Sequence, residues 1–325
     1  MERTARCSLS GMNSSALDVI TFGETMVCFA AREVGPLEQA ANFGKIVAGA
    51  ESNVAVGLAR LGMKVAWLSR LGDDSFGRYI AGTLAAEGVD CRSVTVDAGQ
   101  RTGFMLKSRA ADGADPVVEY HRRGSAASML SLADFDEARF LAARHLHVTG
   151  ITPALSANCA ALVEHAMRFM RAAGRTVSFD PNLRPRLWPS REAMAEHLNR
   201  LAALADWVLP GLAEGQTLTG LASPEDIAEF YLGRGAKAVA IKLGTEGSMW
   251  RTAEGGGRVA GVPVEHVVDT VGAGDAFAAG LISARLEGQD WPAALARANW
   301  VGAQAIQVVG DMDGLPRREA LPQGL

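Results

Sequence analysis

From residue 131 onward the sequence falls into an alternation that leaves few folds open. A helical pattern over 132–143 gives way to a short apolar run at 145–149, then to a second helical pattern over 158–173 and another apolar run at 176–180. Strands separated by helices need crossover connections, and the stable arrangement is a mainly parallel sheet covered by helices on both faces. The first third of the chain follows the same rule. Residues 18–22 (DVITF) are a short apolar run closed by Gly23, and a helix over 54–61 ends at Gly62. A strand is expected at 65–69, and a helix over 76–87 puts Phe76, Ile80 and Leu84 on one face. Strands at 207–209 and 238–243, a helix started by Ser223 and Pro224 and a last long helix over 291–308 complete the pattern. The expected fold class is α/β, three layers (α/β/α) around a mainly parallel central sheet.

Two stretches break the rhythm. Residues 30–46 are irregular, and 102–108 and 117–122 read as strands of a hairpin around the polar loop 109–115. They predict a small β excursion from the main sheet. A chain of 325 residues, 48% apolar, can bury a large core. Its net charge of −4, with no Lys/Arg block, argues against a nucleic-acid or membrane-surface partner. Cys7, Cys28, Cys91 and Cys159 show no CxxC spacing, so neither a zinc site nor a disulfide framework is expected, which fits a reducing cytoplasm. Residues 1–16 lack a signal-peptide run and read as a disordered leader before a single domain over 17–325; no segment is long and charge-free enough to span a bilayer.

The stretch 268–280, VDTVGAGDAFAAG, carries the most chemistry. Val267 and Val268 suit the end of a strand, Gly272 and Gly274 allow a tight turn, and 276–286 reads as a helix. Successive amides of such a turn, opening into a helix N-terminus, form a site for an anion such as phosphate. Asp275 stands where the helix dipole and N–H donors favour its charged form, so a low pKa is expected. Two roles fit it equally on spacing: helix N-cap, or a carboxylate that orients a hydroxyl and takes its proton late in phosphoryl transfer.

DTVGAGD followed by AFAAG resembles the C-terminal signature of the ribokinase-like (PfkB) carbohydrate kinases, and the similarity runs over about 18–316. The resemblance implies that Asp275 is the catalytic base in contact with the substrate hydroxyl, and that the amides of Gly272, Ala273 and Gly274 form the anion hole. The small-residue turn at 48–53 is similar to the family's N-terminal signature, implying that Gly49 and Asn53 hold sugar hydroxyls. The excursion becomes a β-lid of about 30–47 and 100–123 that covers the sugar, excludes water and joins copies into a homo-oligomer.

Tyr120-His121-Arg122, followed by Gly124-Ser125-Ala126, resembles the branch that phosphorylates 2-keto-3-deoxygluconate, a sugar acid. Period two puts Tyr120 and Arg122 on one strand face, where guanidinium and phenol suit a carboxylate; a solvated edge strand is the plainer alternative. By the same resemblance Arg184, in DPNLRPRLW at 180–188, meets the substrate carboxylate and phosphates, and Asp311 lies on the substrate side. Asn182 is then placed near the nucleotide, the turn of Lys242, Gly244, Thr245 and Gly247 wraps it, and Asn299 lines the adenine pocket. Glu214 is implied to serve Mg2+ through water, although Gly211 stands where the family usually has Asn. Met105 stands where that branch has a substrate Tyr. The implied cofactors are ATP and Mg2+, with room for a monovalent cation.

Other tempting residues read more simply. Asp73 and Asp74 suit a capping turn, His145 and His147 suit packing, Gly255 to Gly257 suit a loop tip, and Glu24 ends the first strand. The resemblance therefore implies an ATP-dependent kinase acting on the terminal hydroxyl of 2-keto-3-deoxygluconate. Fructokinase and 5-dehydro-2-deoxygluconokinase share its core signatures, and a non-catalytic sugar-binding regulator is the alternative from another class. A dehydrogenase fails because no GxGxxG follows the first strand.

Overall fold

The computed structural model describes residues 17–110 and 116–325; the expected leader and most of the 109–115 loop lie outside the described residues. In chain order the strands are β1 (Leu17–Phe22), β2 (Met26–Val34), β3 (Phe43–Ala48), β4 (Val65–Gly72), β5 (Asp90–Asp97), β6 (Phe104–Arg109), β7 (Val118–His121), β8 (Ala143–Thr149), β9 (Thr176–Asp180), β10 (Trp207–Val208), β11 (Ala238–Lys242), β12 (Ser248–Thr252) and β13 (Gly256–Val259). The helices are α1 (Ala50–Arg60), α2 (Ser75–Ala86), α3 (Glu137–Ala142), α4 (Thr152–Leu155), α5 (Ala157–Ala172), α6 (Arg191–Ala202), α7 (Leu212–Thr219), α8 (Pro224–Leu232), α9 (Ala273–Leu286) and α10 (Trp291–Ala305).

The main sheet runs β13-β12-β11-β10-β9-β8-β1-β4-β5, parallel from β11 to β5 and antiparallel at β12 and β13. Alternation in β1 shows why both faces are covered. Ile20 and Phe22 enter one apolar cluster with Leu162 and Met167 of α5, while Val19 enters another with Val54 of α1 and Leu281 of α9. The smaller sheet, ordered β3-β2-β6-β7, pairs β2 and β6 in parallel with antiparallel partners outside them. It is the lid.

Small residues set how the helices meet. A Cβ on Gly57 of α1 would lie 2.8 Å from the Ala279 Cβ of α9, and one on Gly280 2.8 Å from the Ala298 Cα of α10. With nothing larger at these crossings, α1 and α9 pack closely side by side. Asn53 near the start of α1 thereby reaches Asp275 near the start of α9.

Several expected elements differ. The helix over 132–143 is instead a short turn at Leu132–Asp134 followed by α3, and Ala143 already belongs to β8. The break is local polar chemistry: Asp134 accepts from Ser131 N, and Asp136 caps the amides of Ala138 and Arg139. Strand β5, DCRSVTVD, went unrecognised because its burial is only partial and its polar residues mask the alternation. Gly256 and Gly257 lie in β13 rather than in a loop tip. Val267 and Val268 end no strand; they are irregular and 41% and 43% exposed.

Candidate active site

Gly272 is the N-cap of α9 at φ +86, in the left-handed region, and a Cβ there would lie 2.8 Å from the Asp311 carbonyl oxygen. Both facts require glycine. The helix starts at Ala273, so Asp275 occupies its first turn and the cap belongs to Gly272. Asp275 Oδ2 accepts from Asn53 Nδ2 at 2.7 Å, and Oδ1 from Asn182 Nδ2 at 3.2 Å. Burial pushes the Asp275 pKa from 3.8 up to about 7, and nearby Asp180 and Asp311 reinforce the rise while the Asn53 bond and Arg184 oppose it. The low value expected from the helix start is thus corrected. Desolvation and two neighbouring carboxylates outweigh the helix N-terminus. A base with a pKa near neutrality is also better matched to its task.

Asn182 reaches this carboxylate from β9 through a backbone at φ +40, the one described non-glycine residue with positive φ. Asparagine tolerates that conformation better than most residues, and such strain gathers at functional sites. Asn182 lines the polar cavity together with Gly49, Glu214 and Lys242. Gly49 is the N-cap of α1 in extended conformation, where a Cβ would lie 2.5 Å from the Glu24 carbonyl oxygen. Its closeness to the β1 end is what lets α1 present Asn53.

Two cavities adjoin at Gly274, and Asp275, the next residue, lines the first of them. The first, about 310 Å³, is polar and brings together Gly49, Asn53, Arg184, Asp275, Asp311 and the lid residues Tyr120 and Arg122. Arg122 is 9% exposed and pairs with Glu24 at 2.5 Å, and Ser125 also bonds Glu24. Tyr120 is 43% exposed at the rim. The Arg184 guanidinium donates to the Leu183 carbonyl at 2.8 Å and keeps its other N–H groups.

The second cavity, about 740 Å³, is lined mainly by small and apolar groups, among them Gly244, Thr245, Gly247, Val264, Phe277 and Gly302. Gly247, at φ +97, lets the turn after β11 press on β13, since a Cβ would lie 2.1 Å from the Val259 carbonyl oxygen. Asn299 borders the cavity from α10 and donates to the Val259 and Ala260 carbonyls at 3.2 and 3.0 Å. Lys242, Thr270 and Gly274 line both cavities.

Lys242 Nζ sits 2.7 Å from Asp180 Oδ2 and 4.0 Å from Glu214 Oε2. Burial raises the Asp180 pKa to about 6 despite Lys242. Glu214 accepts from the Leu183 and Gly211 amides, both at 2.8 Å. That second bond explains why glycine is tolerated at 211: the Glu214 side chain supplies the cap that α7 needs. Among the described residues no cluster of three or more His, Cys, Asp or Glu side chains could hold a metal alone. Mg2+ needs only one or two carboxylates beside phosphates and water, so Glu214, facing the polar cavity with its side chain 24% exposed, fits an outer-sphere role.

The histidines are as expected for packing: His145 and His147 are buried, bond Ser178 and have pKa values lowered by burial. Asp74 caps α2 through Gly77 N. Two further buried charged residues carry no motif in the sequence. Lys107 of β6 bonds Asp269 and Asp311, and Glu51 is buried under Thr149 and Thr152. A single lysine two residues after Met105, on the same strand face, was the available signal for Lys107.

Comparison with known proteins agrees with this geometry. The model of the pfkB family carbohydrate kinases matches residues 16–318. A 2-dehydro-3-deoxygluconokinase from Bacillus subtilis is 51% identical over 94% of this chain and 94% of its own. A solved PfkB protein from Polaromonas sp. JS666 is 55% identical, with a TM-score of 0.87 over 94% of this chain and 98% of its own. A protein from Escherichia coli described as a ribokinase II, solved in complex with ATP and Mg2+, is 30% identical, with a TM-score of 0.86 over 93% and 97% of the two chains.

Proposed function

Because the chain belongs to the pfkB family of carbohydrate kinases, we propose that it transfers the γ-phosphate of ATP to the terminal hydroxyl of 2-keto-3-deoxygluconate (2-dehydro-3-deoxygluconate), giving the 6-phospho sugar acid. The observation that carries the reading is the position of Asp275 in a polar cavity that holds Arg122 and Arg184, next to Gly274, where that cavity adjoins an apolar one suited to a nucleotide. The half-identical Bacillus subtilis relative bears the name of this activity.

In this assignment Asn53 and Asn182 hold the Asp275 carboxylate, which accepts the hydroxyl's hydrogen bond. As the oxygen–phosphorus bond forms and the bond from the γ-phosphorus to the ADP oxygen breaks, the hydroxyl proton passes to Asp275. The amides of Gly272, Ala273 and Gly274, with Arg184, face the charge that develops on the phosphoryl oxygens. Glu214 would hold Mg2+ through water, and the bound ion would supply further positive charge at the ATP phosphates. Tyr120, Arg122 and Arg184 receive the substrate carboxylate, while Gly49, Asn53 and Asp311 meet its hydroxyls. Lys242, Gly244, Thr245, Gly247 and Asn299 surround the nucleotide.

Turnover on 2-keto-3-deoxygluconate, its galactonate epimer, fructose and ribose tests the reading. A charge-assisted bond contributes about 1.5–3 kcal/mol, so kcat/KM should favour the acids over fructose by about a hundredfold. Equal or better use of fructose would refute the sugar-acid assignment. We also assign the enzyme to the cytoplasm, in keeping with its free Cys28, Cys91 and Cys159. A homo-oligomer joined through the lid is supported by Val34 and Val117, 59% and 63% exposed on lid segments; sedimentation measurements test it.

A further inference from the structure

The lid carries a second buried cation, which the proposed mechanism gives no role. Lys107 lies on β6 with its side chain 4% exposed, and its ammonium contacts Asp269 Oδ2 at 2.6 Å and Asp311 Oδ1 at 3.1 Å. Both acids come from the other side of the site, 162 and 204 residues away in sequence. Each also touches the anion-binding turn. Asp269 Oδ1 accepts from the Val271 amide at 3.1 Å, and the Asp311 backbone closes over Gly272, leaving no space for a Cβ. One lid side chain therefore fastens both flanks of the turn whose amides receive the phosphoryl group.

The charges explain why a cation is needed there. Asp269 and Asp311 would repel each other in a buried setting, and an ammionium between them removes that repulsion and fills their lone pairs. Burial works against the Lys107 charge, yet Asp311 and Asp269 hold its pKa above the usual value. Cys28, behind the group, stays a neutral thiol because burial pushes its pKa up to about 12. The other buried lid cation, Arg122, pairs with Glu24 just after β1.

We propose that Lys107 is a positioning residue for phosphoryl transfer: by bridging Asp269 and Asp311 from the lid, it makes seating of the lid and correct shaping of the anion-binding turn a single event. The inference rests on the kinase reading but not on which sugar is used. The Lys107 ammonium is held by Asp269 and Asp311 rather than by Asp275, so its loss should fall on turnover and spare nucleotide binding.

The test compares Lys107→Met and Lys107→Arg with the unaltered protein, on whichever acceptor of the sugar panel gives the highest turnover, with kcat expressed per ADP-binding site. Because the result is a ratio on that acceptor, failure of the sugar-acid assignment and failure of the Lys107 role are separate outcomes. Lys107→Met should lower kcat per site by about thirtyfold or more with the ADP Kd within about twofold, and Lys107→Arg should recover at least a third of kcat. Near-normal kcat per site in Lys107→Met would overturn the proposal, as would an equal loss in both variants. Should Lys107→Met fail to fold, Asp269→Asn, which keeps an acceptor for Val271 but loses the ion pair, takes its place: a tenfold or larger fall in kcat per site with unchanged ADP Kd supports the bridge, and an unchanged kcat refutes it.

Discussion

The two cavities that adjoin at Gly274, beside Asp275, are built in opposite ways. The polar one gathers charged side chains from distant parts of the chain: Glu24 beside β1, Lys107 and Arg122 from the lid, Arg184 after β9 and Asp311 near the C-terminus. Three of its cations, Lys107, Arg122 and Lys242, already pair with carboxylates. The apolar one is drawn from a contiguous part of the chain, between Lys242 and Ile306, and relies on glycines, small side chains and backbone. A site made of paired charges discriminates sharply, because a wrong guest leaves a buried charge unsatisfied; a site made of backbone and apolar surface accepts any ligand of the right shape. Substrate choice therefore resides in the first cavity and nucleotide binding in the second.

Asp275 lines the polar cavity beside Gly274, which both cavities share, and Asp275→Asn should show the largest effect. Turnover should fall by about a thousandfold or more, within the range of lost general-base catalysis, with ADP affinity by calorimetry unchanged. Next comes Arg184→Met, expected to lower kcat/KM for the sugar acid by about tenfold to a hundredfold, the worth of one charge-assisted contact, while the fructose value changes far less. A loss shared equally by both sugars would erase the contrast between the cavities. Gly302→Val, which puts a branched side chain into the apolar cavity, should weaken ADP binding by about tenfold, on the order of one lost apolar contact, and leave the sugar KM unaltered.

The smallest effect is on stability. Asp275 has a folded-state pKa raised from 3.8 to about 7, so between those values the folded protein holds a proton that the unfolded chain releases. Its contribution is intact below about pH 4 and is lost as pH rises through 7. Asp275→Asn, which has no charge to bury, should therefore melt a few degrees higher than the unaltered protein at pH 8 and not at pH 4. Calorimetric scans at the two pH values check the sign.

The same contrast governs what could be read from the sequence. The alternation of 145–149, 158–173 and 176–180 reports a parallel sheet because burial on two faces imposes apolar runs, and β8, α5 and β9 appear there. The turn at Gly272 and the glycines around Lys242 are local features, legible because backbone geometry is written in adjacent residues. Lys107 is not: its partners lie far along the chain, and its spacing from Met105 marks a strand face but not an ion-pair centre. The Asp275 pKa was misread for a related reason. Its local helix start predicts a stable anion, whereas the burial and the Asp180 and Asp311 charges that decide the matter come from tertiary packing.

Asp275 as the proton acceptor between the cavities is tested most directly by the pH dependence of kcat/KM for 2-keto-3-deoxygluconate, with ATP and Mg2+ saturating. A single protonation near pH 7 should switch activity off toward acid, tenfold for each pH unit below it. A profile that stays flat from about pH 5 to pH 8, well above the ordinary carboxylate range, would contradict the account.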